Sequence, residues 1–598
     1  MIMKQVGFIS LVLITVLVFS SCNGLKKMQK NQGLVTYTVT PLVLEMHADT
    51  VAFTVDGKFP AKYFNKKAVA VITPVIKYKN GEKALTPITV QGEAVQANDK
   101  VIKYTDGGSF TYTDKTAYVD DMKVSELEVR VKASIKTKSV DFDAKKIADG
   151  VIATPNLLIS DPRPIFVKDN FVKITTEVKE ADIHFALQQA NVRPGELSQQ
   201  DIKDLKAYVN AVLQAENKEL KGISVSAYAS PDGPEDLNTK LSGNRGTEAE
   251  KFIGSEVKNT KAPKTEEKDK AKIKEAQDKF NEKVKKAQEK SLYSTQSTAE
   301  DWDGFKRVME ATDIPDKDLV LRVLSMYSDP VVREKEIKNL SKVYLTLADK
   351  ILPQLRRSIL KINVDVVGKS DEVIAALAES KPDSLTVEEL LYAASLTNDM
   401  DKKLSIYKSC QTIYPNEFRG FNNSGYAYIK LGKTSEAKQA FEGAKKIKDG
   451  DPVVMNNLGV VAYTENDLTK AEEYYKSASG AGNEVNYNLG LIAVKKANYD
   501  DAIKYFGSDC SFNAALAKVL NKDNDGASKT IDCITDKEQA LNYYLKAIIG
   551  ARTANTDILF NNLRTAVGKD ASLGAKAKTD MEFGKYFQDS TFLSIVGN

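Results

Sequence analysis

Three similar stretches in the last third of the chain each have an asparagine two residues before a glycine, at Asn423, Asn457 and Asn488. A primary amide offers donors and an acceptor together, which is the complement of a peptide group. The pattern predicts a ladder of amides that binds a partner segment along its backbone, or, as the alternative, amides that only order helix packing. Expected neighbours on the same side are Asn422, Tyr426, Asn456 and Tyr487.

Side chains that could carry out covalent or acid–base chemistry are sparse. The two histidines, His47 and His184, fall in different predicted domains, so a histidine pair for a metal and a base beside a nucleophile are not expected. The sequence has no Walker-type loop, nucleophile elbow or dinucleotide fingerprint. We therefore predict a protein that is not an enzyme and uses no metal or cofactor. An envelope hydrolase is the alternative from another class.

The N-terminus predicts export. Lys4 precedes the apolar run "GFISLVLITVLVFSSC", which is too short for a comfortable membrane span and has the layout of a signal peptide. Its end, "FSSC", resembles a bacterial lipobox. The resemblance implies a signal peptide over residues 1–21 and a lipid on Cys22; the alternative is a plain signal peptide and an unmodified cysteine.

The residues after Cys22 bear on which side of the membrane the protein occupies. Surface-exported lipoproteins of the Bacteroidetes type usually carry acidic residues there, whereas this chain reads "CNGLKKMQK". The basic flank favours an outer-membrane protein that faces the periplasm. We expect residues 22–33 to form a short lipidated tether.

Composition indicates several globular domains. The chain has 598 residues, of which 42% are hydrophobic and 28% charged. A net charge of +4 argues for no polyanionic partner, nucleic acid included. Beyond Cys22, Cys410 lies in an apolar helical stripe and is expected to be buried. Cys510 and Cys533 could pair in an oxidising periplasm, a question that the sequence leaves open.

Residues 34–160 have the texture of β-structure. Stretches such as "AVAVITPVIKY" and "SELEVRVKASIKT" are rich in branched and aromatic residues, and turn signals such as "KNGEK" and "TDGGS" separate them. We predict a β-sandwich that spaces or docks other parts. The two prolines of "ISDPRPIF" indicate a boundary after it.

Residues 165–368 predict a mixed α/β domain. A strand, an amphipathic helix, a second strand and a second helix follow one another, and "AYASPDGPEDLNTKLSGNRGTEAEKFI" resembles the OmpA C-terminal-like domain. The resemblance resumes at "EDWDGFKRVMEA" and ends with the strand "ILPQLRRSILKINVDVVG". A highly charged insertion at about 257–295 interrupts it, and we expect it to be a solvated helix or helical hairpin.

That resemblance implies a peptidoglycan site. In the family, an aspartate after the second strand and an arginine on the next helix hold the charged ends of diaminopimelate. Arg245 occupies the arginine position, Ser230 occupies the aspartate position, and Asp232 is displaced by two residues. The resemblance therefore implies either peptidoglycan binding or a retained fold that serves as a docking module.

Residues 384–598 repeat with a period near that of a helix-turn-helix unit. Gly425 and Gly459 are 34 residues apart, Gly459 and Gly490 are 31 apart, and an alanine and then an aromatic residue follow each of them. The pattern resembles the tetratricopeptide repeat, which implies an all-α solenoid whose groove carries the amide ladder, closed by a C-terminal cap.

Together these domains resemble accessory scaffolds of Bacteroidetes envelope machines. The expected function is a non-enzymatic outer-membrane lipoprotein that recruits a protein partner through its tetratricopeptide groove in an assembly or secretion complex. The alternative within binding proteins is a peptidoglycan tether through the OmpA-like domain. Neither the partner nor the oligomeric state follows from the sequence.

Overall fold

The computed structural model describes residues 23–536 and 538–597. Their contacts divide the chain into two compact units, one made of Met1–Lys168 with Thr397–Asn598 and the other of Asp169–Leu396. The predicted signal peptide over residues 1–21 and the predicted lipidation site Cys22 lie outside the described residues. Within the described ranges, every helix is too short or too polar to cross a bilayer.

The first unit begins with a docked helix where the sequence predicts a tether. Helix α1 covers residues 23–30. Leu25 and Met28 are 1% and 2% exposed, because one side of α1 packs into the core of the β-rich region. The Gln29 side chain donates to the Asp141 carbonyl at 2.9 Å. The residues after Cys22 are therefore part of the folded body.

The β-rich region that the sequence predicts after residue 34 is present. Its strands are β1 (Thr36–Thr40), β2 (Val43–His47), β3 (Thr50–Phe59), β4 (Val69–Tyr78), β5 (Gly81–Ala84), β6 (Ile88–Gly92), β7 (Lys100–Ile102), β8 (Gly108–Ala117), β9 (Ser125–Ile135), β10 (Lys138–Asp141) and β11 (Lys145–Ile152).

These strands form one sheet instead of the two separate sheets of the predicted sandwich. The order is β1-β3-β2-β11-β9-β4-β6-β7, with β8 paired to β3, β5 to β4 and β10 to β9. Strand β2 joins what would be the two layers, because it pairs with β3 on one side and with β11 on the other. Alternation of apolar residues cannot reveal this, since both arrangements bury every second side chain.

The second unit is the mixed α/β part. Its elements are β12 (Ile174–His184), α2 (Gln200–Gln214), β13 (Lys218–Tyr228), α3 (Glu235–Asn259), α4 (Lys270–Ala287), β14 (Tyr293–Thr298), α5 (Trp302–Ala311), α6 (Lys317–Met326), α7 (Pro330–Asn339), α8 (Ser341–Lys350), α9 (Leu352–Leu355), β15 (Arg357–Val367), α10 (Asp371–Ser380) and α11 (Val387–Ala393). The sheet order is β12-β15-β13-β14.

The charged insertion is more integrated than its composition indicates. It contains the single helix α4, and Phe280 on that helix is 8% exposed in the core of the unit. Strand β14 follows directly and pairs in parallel with β13. A lysine-rich stretch can bury one apolar stripe while its charges stay in water, so the insertion is only partly solvated.

The first unit resumes as a series of helices. They are α12 (Met400–Ile413), α13 (Phe418–Lys430), α14 (Thr434–Ile447), α15 (Pro452–Thr464), α16 (Leu468–Ser477), α17 (Asn483–Lys495), α18 (Tyr499–Phe506), α19 (Phe512–Leu520), α20 (Asn524–Cys533), α21 (Ala540–Arg552), α22 (Thr556–Lys569), α23 (Ser572–Ala577) and α24 (Ser590–Val596). Consecutive helices pack as antiparallel pairs, and each pair packs on the next.

The recurring glycines permit the close approach of paired helices. A Cβ atom added to Gly459 would lie 2.5 Å from the ring of Tyr475, the aromatic residue of the same repeat. Gly425 and Phe441 repeat this contact. In both repeats, the aromatic ring thus packs against the glycine of its own repeat.

Two of the cysteines beyond the lipobox are paired. Cys510 and Cys533 form a disulfide that ties the start of α19 to the end of α20. Cys410 on α12 is fully buried, as the apolar stripe around it predicts. The pairing that the sequence leaves open is thus present, and it fits an exported protein.

Candidate functional site

Four asparagines form a row along the inner face of the repeats. Asn423, Asn457, Asn488 and Asn513 lie on α13, α15, α17 and α19, and each is at most 1% exposed. We call them the asparagine row. Residues 159–167 of the same chain run along it and are called the groove segment.

Each amide of the asparagine row binds both polar groups of one residue in the groove segment. Asn457 accepts from the Ile165 N–H at 2.7 Å and donates to its carbonyl at 2.8 Å. Asn488 does the same to Arg163 at 2.7 and 2.9 Å. The remaining pairs are Asn423 with Val167 and Asn513 with Ile159.

The register of these contacts requires an extended backbone. Residues 163, 165 and 167 present their N–H and C=O groups to the same side, as alternate residues of a strand do. Pro162 and Pro164 stand on either side of Arg163. A proline has no N–H to leave unsatisfied and favours an extended neighbour before it, so both prolines suit the positions that face away from the row.

A second set of amides completes the network. Asn456 donates to the Arg163 carbonyl at 3.1 Å and accepts from Asn488 at 3.0 Å. Asn422 donates to the Ile165 carbonyl at 3.3 Å and accepts from Asn457 at 2.9 Å. Side-chain amides thus link one repeat to the next, and such connected hydrogen bonds reinforce one another in a buried site.

Arg163 is the side chain of the groove segment with the most specific contacts. Its guanidinium lies 3.3 Å from the centre of the Tyr487 ring and 2.7 Å from an Asp509 carboxylate oxygen. The Tyr487 hydroxyl donates to Asp161 at 2.7 Å and accepts from Asn513 at 2.8 Å. Burial raises the pKa of Tyr487, so its hydroxyl stays a donor.

Phe166 supplies the apolar contact at the other end of the segment. Its ring lies 5.8 Å from that of Tyr426 and 6.3 Å from that of Tyr407. All the residues that the sequence assigns to the ladder therefore face the groove. Their contact in the structure is with residues 159–167 of the chain itself, and binding of a separate partner stays a prediction.

The sequence pattern did not indicate Asn513 as a member of the asparagine row, or the groove segment as what binds to it. Asn513 precedes Ala515 where the other repeats have glycine, so the signal is Asn-x-small instead of Asn-x-Gly. The groove segment contains the stretch "ISDPRPIF", whose prolines indicated only a domain boundary. Its alternation of proline with other residues could have indicated an extended ligand.

The residues expected to bind peptidoglycan come together in the second unit. Ser230 donates to Asp232 at 2.5 Å, so that carboxylate lies beside the position where the family has its aspartate. Arg356, which the sequence analysis missed, binds Asp232 at 2.9 Å and Ser230 at 3.1 Å. The pair of arginines in "QLRRSIL", before the last strand, is the signal that could have found it.

Arg245 is buried beside this group. It is 1% exposed and donates to the carbonyls of Gln189, Tyr228 and Ala186 at 3.0, 2.9 and 3.4 Å. Burial lowers the pKa of Arg245 to about 10, and the charge of Arg356 contributes. These contacts hold the loop before α2 against the end of β13, so the role of Arg245 here is structural.

Among the described residues, no three or more His, Cys, Asp or Glu side chains gather as a metal site would require. His47 contacts Tyr499 at 2.9 Å and Glu45 at 3.1 Å, on the outside of the first unit.

Comparison with known proteins identifies the repeats. The tetratricopeptide repeat family matches residues 418–451 and 484–507. A curated relative, the type IV pilus assembly protein PilF of Pseudomonas aeruginosa, is 27% identical over 101 residues, which are 17% of this chain and 40% of PilF. The chain therefore spans less than half the length of that relative.

Solved structures that resemble part of this chain include two whose similarity is weak. The Pseudomonas aeruginosa PilF structure matches with a TM-score of 0.27 at 14% identity, over 38% of this chain and 98% of its own. A tetratricopeptide repeat protein from Parabacteroides merdae matches with a TM-score of 0.27 at 13% identity, over 42% and 97%. The match of the family model at residues 418–451 and 484–507 shows that the chain contains tetratricopeptide repeats, a module of protein–protein interaction.

Proposed function

We propose that this protein is a non-enzymatic, lipid-anchored scaffold of the outer membrane that faces the periplasm and recruits a protein partner of an envelope assembly or secretion complex. The observation that carries the proposal is the asparagine row, which binds extended polypeptide by eight hydrogen bonds to its backbone. Because these hydrogen bonds are made to backbone N–H and C=O groups, another extended segment can form the same hydrogen bonds.

Recruitment through the groove proceeds by exchange, because the groove segment occupies it. A tethered segment competes at an effective concentration of about millimolar, so a free peptide must bind better or arrive when the segment is released. Arg163 and Phe166 supply the side-chain contacts that distinguish one ligand from another. The partner segment should therefore be extended, carry prolines at alternate positions and place a cation over Tyr487.

The anchor and the environment complete the proposal. Acyl chains on Cys22 would each contribute about 0.8 kcal/mol per buried CH₂, so several chains hold the protein at the membrane stably. The disulfide between Cys510 and Cys533 is compatible with the periplasm. Appearance of labelled palmitate in the unaltered chain, but not in Cys22→Ser, tests the anchor.

A labelled peptide with the sequence LISDPRPIFVK, equal to residues 158–168, tests exchange. The full chain with Arg163→Ala should bind it at least about tenfold more tightly than the unaltered chain, because the tethered competitor has lost its main side-chain contact. Adding Asn457→Ala and Asn488→Ala should abolish binding. Arg193→Ala, which removes an exposed arginine of the second unit, is the control. No binding to any form would refute exchange.

A photoreactive side chain at Tyr426 would then identify the partner in native membranes. This position faces the groove, where its ring meets Phe166. The crosslinked protein should differ between the unaltered chain and Asn457→Ala/Asn488→Ala. Equal capture by both would show that the partner binds another surface.

Peptidoglycan binding by the second unit is the second candidate. The contact between Ser230 and Asp232 supports it, because it brings a carboxylate to the position that the family uses for the ligand ammonium. Arg356 competes for the same carboxylate. Retention on purified sacculi should fall with Asp232→Asn and rise with Arg356→Gln. Retention that neither change affects would exclude this site.

A further inference from the structure

The docked helix α1 carries a basic face beside the proposed anchor. Leu25 and Met28 point into the sheet core, and on the remaining surface Lys26, Lys27 and Lys30 are exposed. The described part of this helix starts at residue 23, next to Cys22 in the sequence. Any lipid on that cysteine would therefore enter the membrane next to these three ammonium groups.

Lysines of neighbouring loops extend this face. Asn65 donates its N–H to the Met28 sulfur at 3.4 Å, and the exposed Lys67 follows two residues later. A Cβ on Gly24 would lie 3.9 Å from Ile135, which the exposed Lys136 follows. We call Lys26, Lys27, Lys30, Lys67 and Lys136 the basic face.

Little negative charge balances the basic face. Within the described parts of the chain, none of its five lysines has an ion-pair partner, whereas nearby Lys66 is paired with Glu93 at 3.0 Å. Asp141 and Asp143 are acidic residues near the helix: the Asp141 carbonyl accepts from Gln29, and the Asp143 carboxylate accepts from Gln32, both at 2.9 Å. The five lysines thus exceed the acidic groups that flank them.

We infer that the basic face binds the anionic phospholipid headgroups of the leaflet that holds the anchor. The inference rests on the proposed lipidation only for the place of contact, since the lysines and their lack of counter-charges are features of the fold. Each lysine near an anionic surface is attracted by a short-range, salt-screened interaction. Because α1 is packed into the core of the β-rich region, the basic face would hold that region against the membrane in one orientation.

The experiment uses the mature full chain with Cys22→Ser, which separates headgroup binding from acylation. Vesicles of phosphatidylglycerol in phosphatidylcholine should bind it, vesicles of phosphatidylcholine alone should not, and salt should release it. Lys26→Glu/Lys27→Glu/Lys30→Glu should weaken binding by at least about tenfold. Lys264→Glu/Lys270→Glu/Lys274→Glu, three exposed lysines of the charged insertion, makes the same change in net charge and should bind as the parent does.

The outcomes distinguish this inference from the proposed function. Equal binding by both triple variants, no preference for anionic vesicles, or retention on sacculi in place of vesicles would overturn the basic face as a lipid surface. Palmitate labelling of the unaltered chain reports on the anchor separately. A matched thermal midpoint for both triple variants would show that α1 remains docked.

Discussion

At the scale of single residues, the groove depends on buried asparagine amides that hydrogen-bond to the backbone of the groove segment. Asn457 is fully buried and makes four hydrogen bonds, to both polar groups of Ile165 and to the amides of Asn422 and Asn456. A buried peptide group left without a partner costs about 1–3 kcal/mol. The sequence predicted the amides and their periodicity, because both are local properties of each repeat.

Asn457→Ala should lower the free energy of unfolding by about 2–4 kcal/mol, since it leaves the Ile165 N–H without its acceptor and removes one hydrogen bond each from the Ile165 carbonyl, Asn422 and Asn456. Urea unfolding followed by circular dichroism measures the change. Asn561→Ala, on the exposed side of α22, should stay within about 0.5 kcal/mol of the parent. Equal effects of the two substitutions would contradict the assigned role of the row.

Asp580 should make stability depend on pH. Burial, and then the charge of Glu582, raise the pKa of Asp580 from 3.8 to about 6, although Tyr544 donates to its carboxylate at 2.8 Å. The folded protein therefore keeps a proton that the unfolded chain releases. The stabilisation by that proton is present at low pH and is lost as pH rises from about 4 to about 6.

Asp580→Asn should remove this dependence. The asparagine can still accept from the Glu582 N–H, as Asp580 does at 3.1 Å. The difference in thermal midpoint between variant and parent should therefore change across that window and stay constant above it. A difference that is independent of pH would show that Asp580 titrates normally.

At the scale of elements, the close packing of paired helices depends on a glycine at one position of each pair. Gly459 on α15 meets the ring of Tyr475 on α16, and both are fully buried or nearly so. The spacing of glycine and aromatic residue in the sequence predicted paired helices. It could not show which aromatic ring meets which glycine, because that depends on how the pairs stack.

Gly459→Ala should destabilise the protein by about 1–3 kcal/mol, because the new methyl group would stand 2.5 Å from a packed ring. Gly568→Ala on α22 is the control, since nothing lies within 4 Å of its added Cβ. That change should be neutral or slightly stabilising, as alanine favours a helix. Thermal unfolding of both variants decides; a neutral Gly459→Ala would contradict the close approach.

At the scale of the first unit, the β-rich region and the repeats are joined by buried polar contacts as well as by the groove segment. Glu582, near the C-terminus, pairs with Arg552 on α21 and accepts from Thr154 at the end of the β-rich region. Glu582 and Thr154 are 9% and 2% exposed. One carboxylate thus connects three segments that are far apart in the sequence.

Glu582→Ala should lower the free energy of unfolding by about 3 kcal/mol, because it leaves the partly buried Arg552 charge without its carboxylate. Hydrogen exchange should also increase around Thr154, which loses its acceptor. Glu538→Ala, which breaks the exposed pair with Lys569, should change stability by less than about 1 kcal/mol. If hydrogen exchange increased only in α21 and stayed unchanged around residue 154, the Glu582 carboxylate would not join the two regions.

The sequence by itself determined the repeats, the amide positions and the β-rich and α/β regions, because each follows from residue types at fixed local spacings. Only the tertiary structure decided what fills the groove. Asn513 and Ile159 are 354 residues apart, and no local pattern records such a pairing. The same holds for Asp232 with Arg356, and for β2 with β11, because contacts between segments that are distant in the sequence depend on the packing of the whole unit.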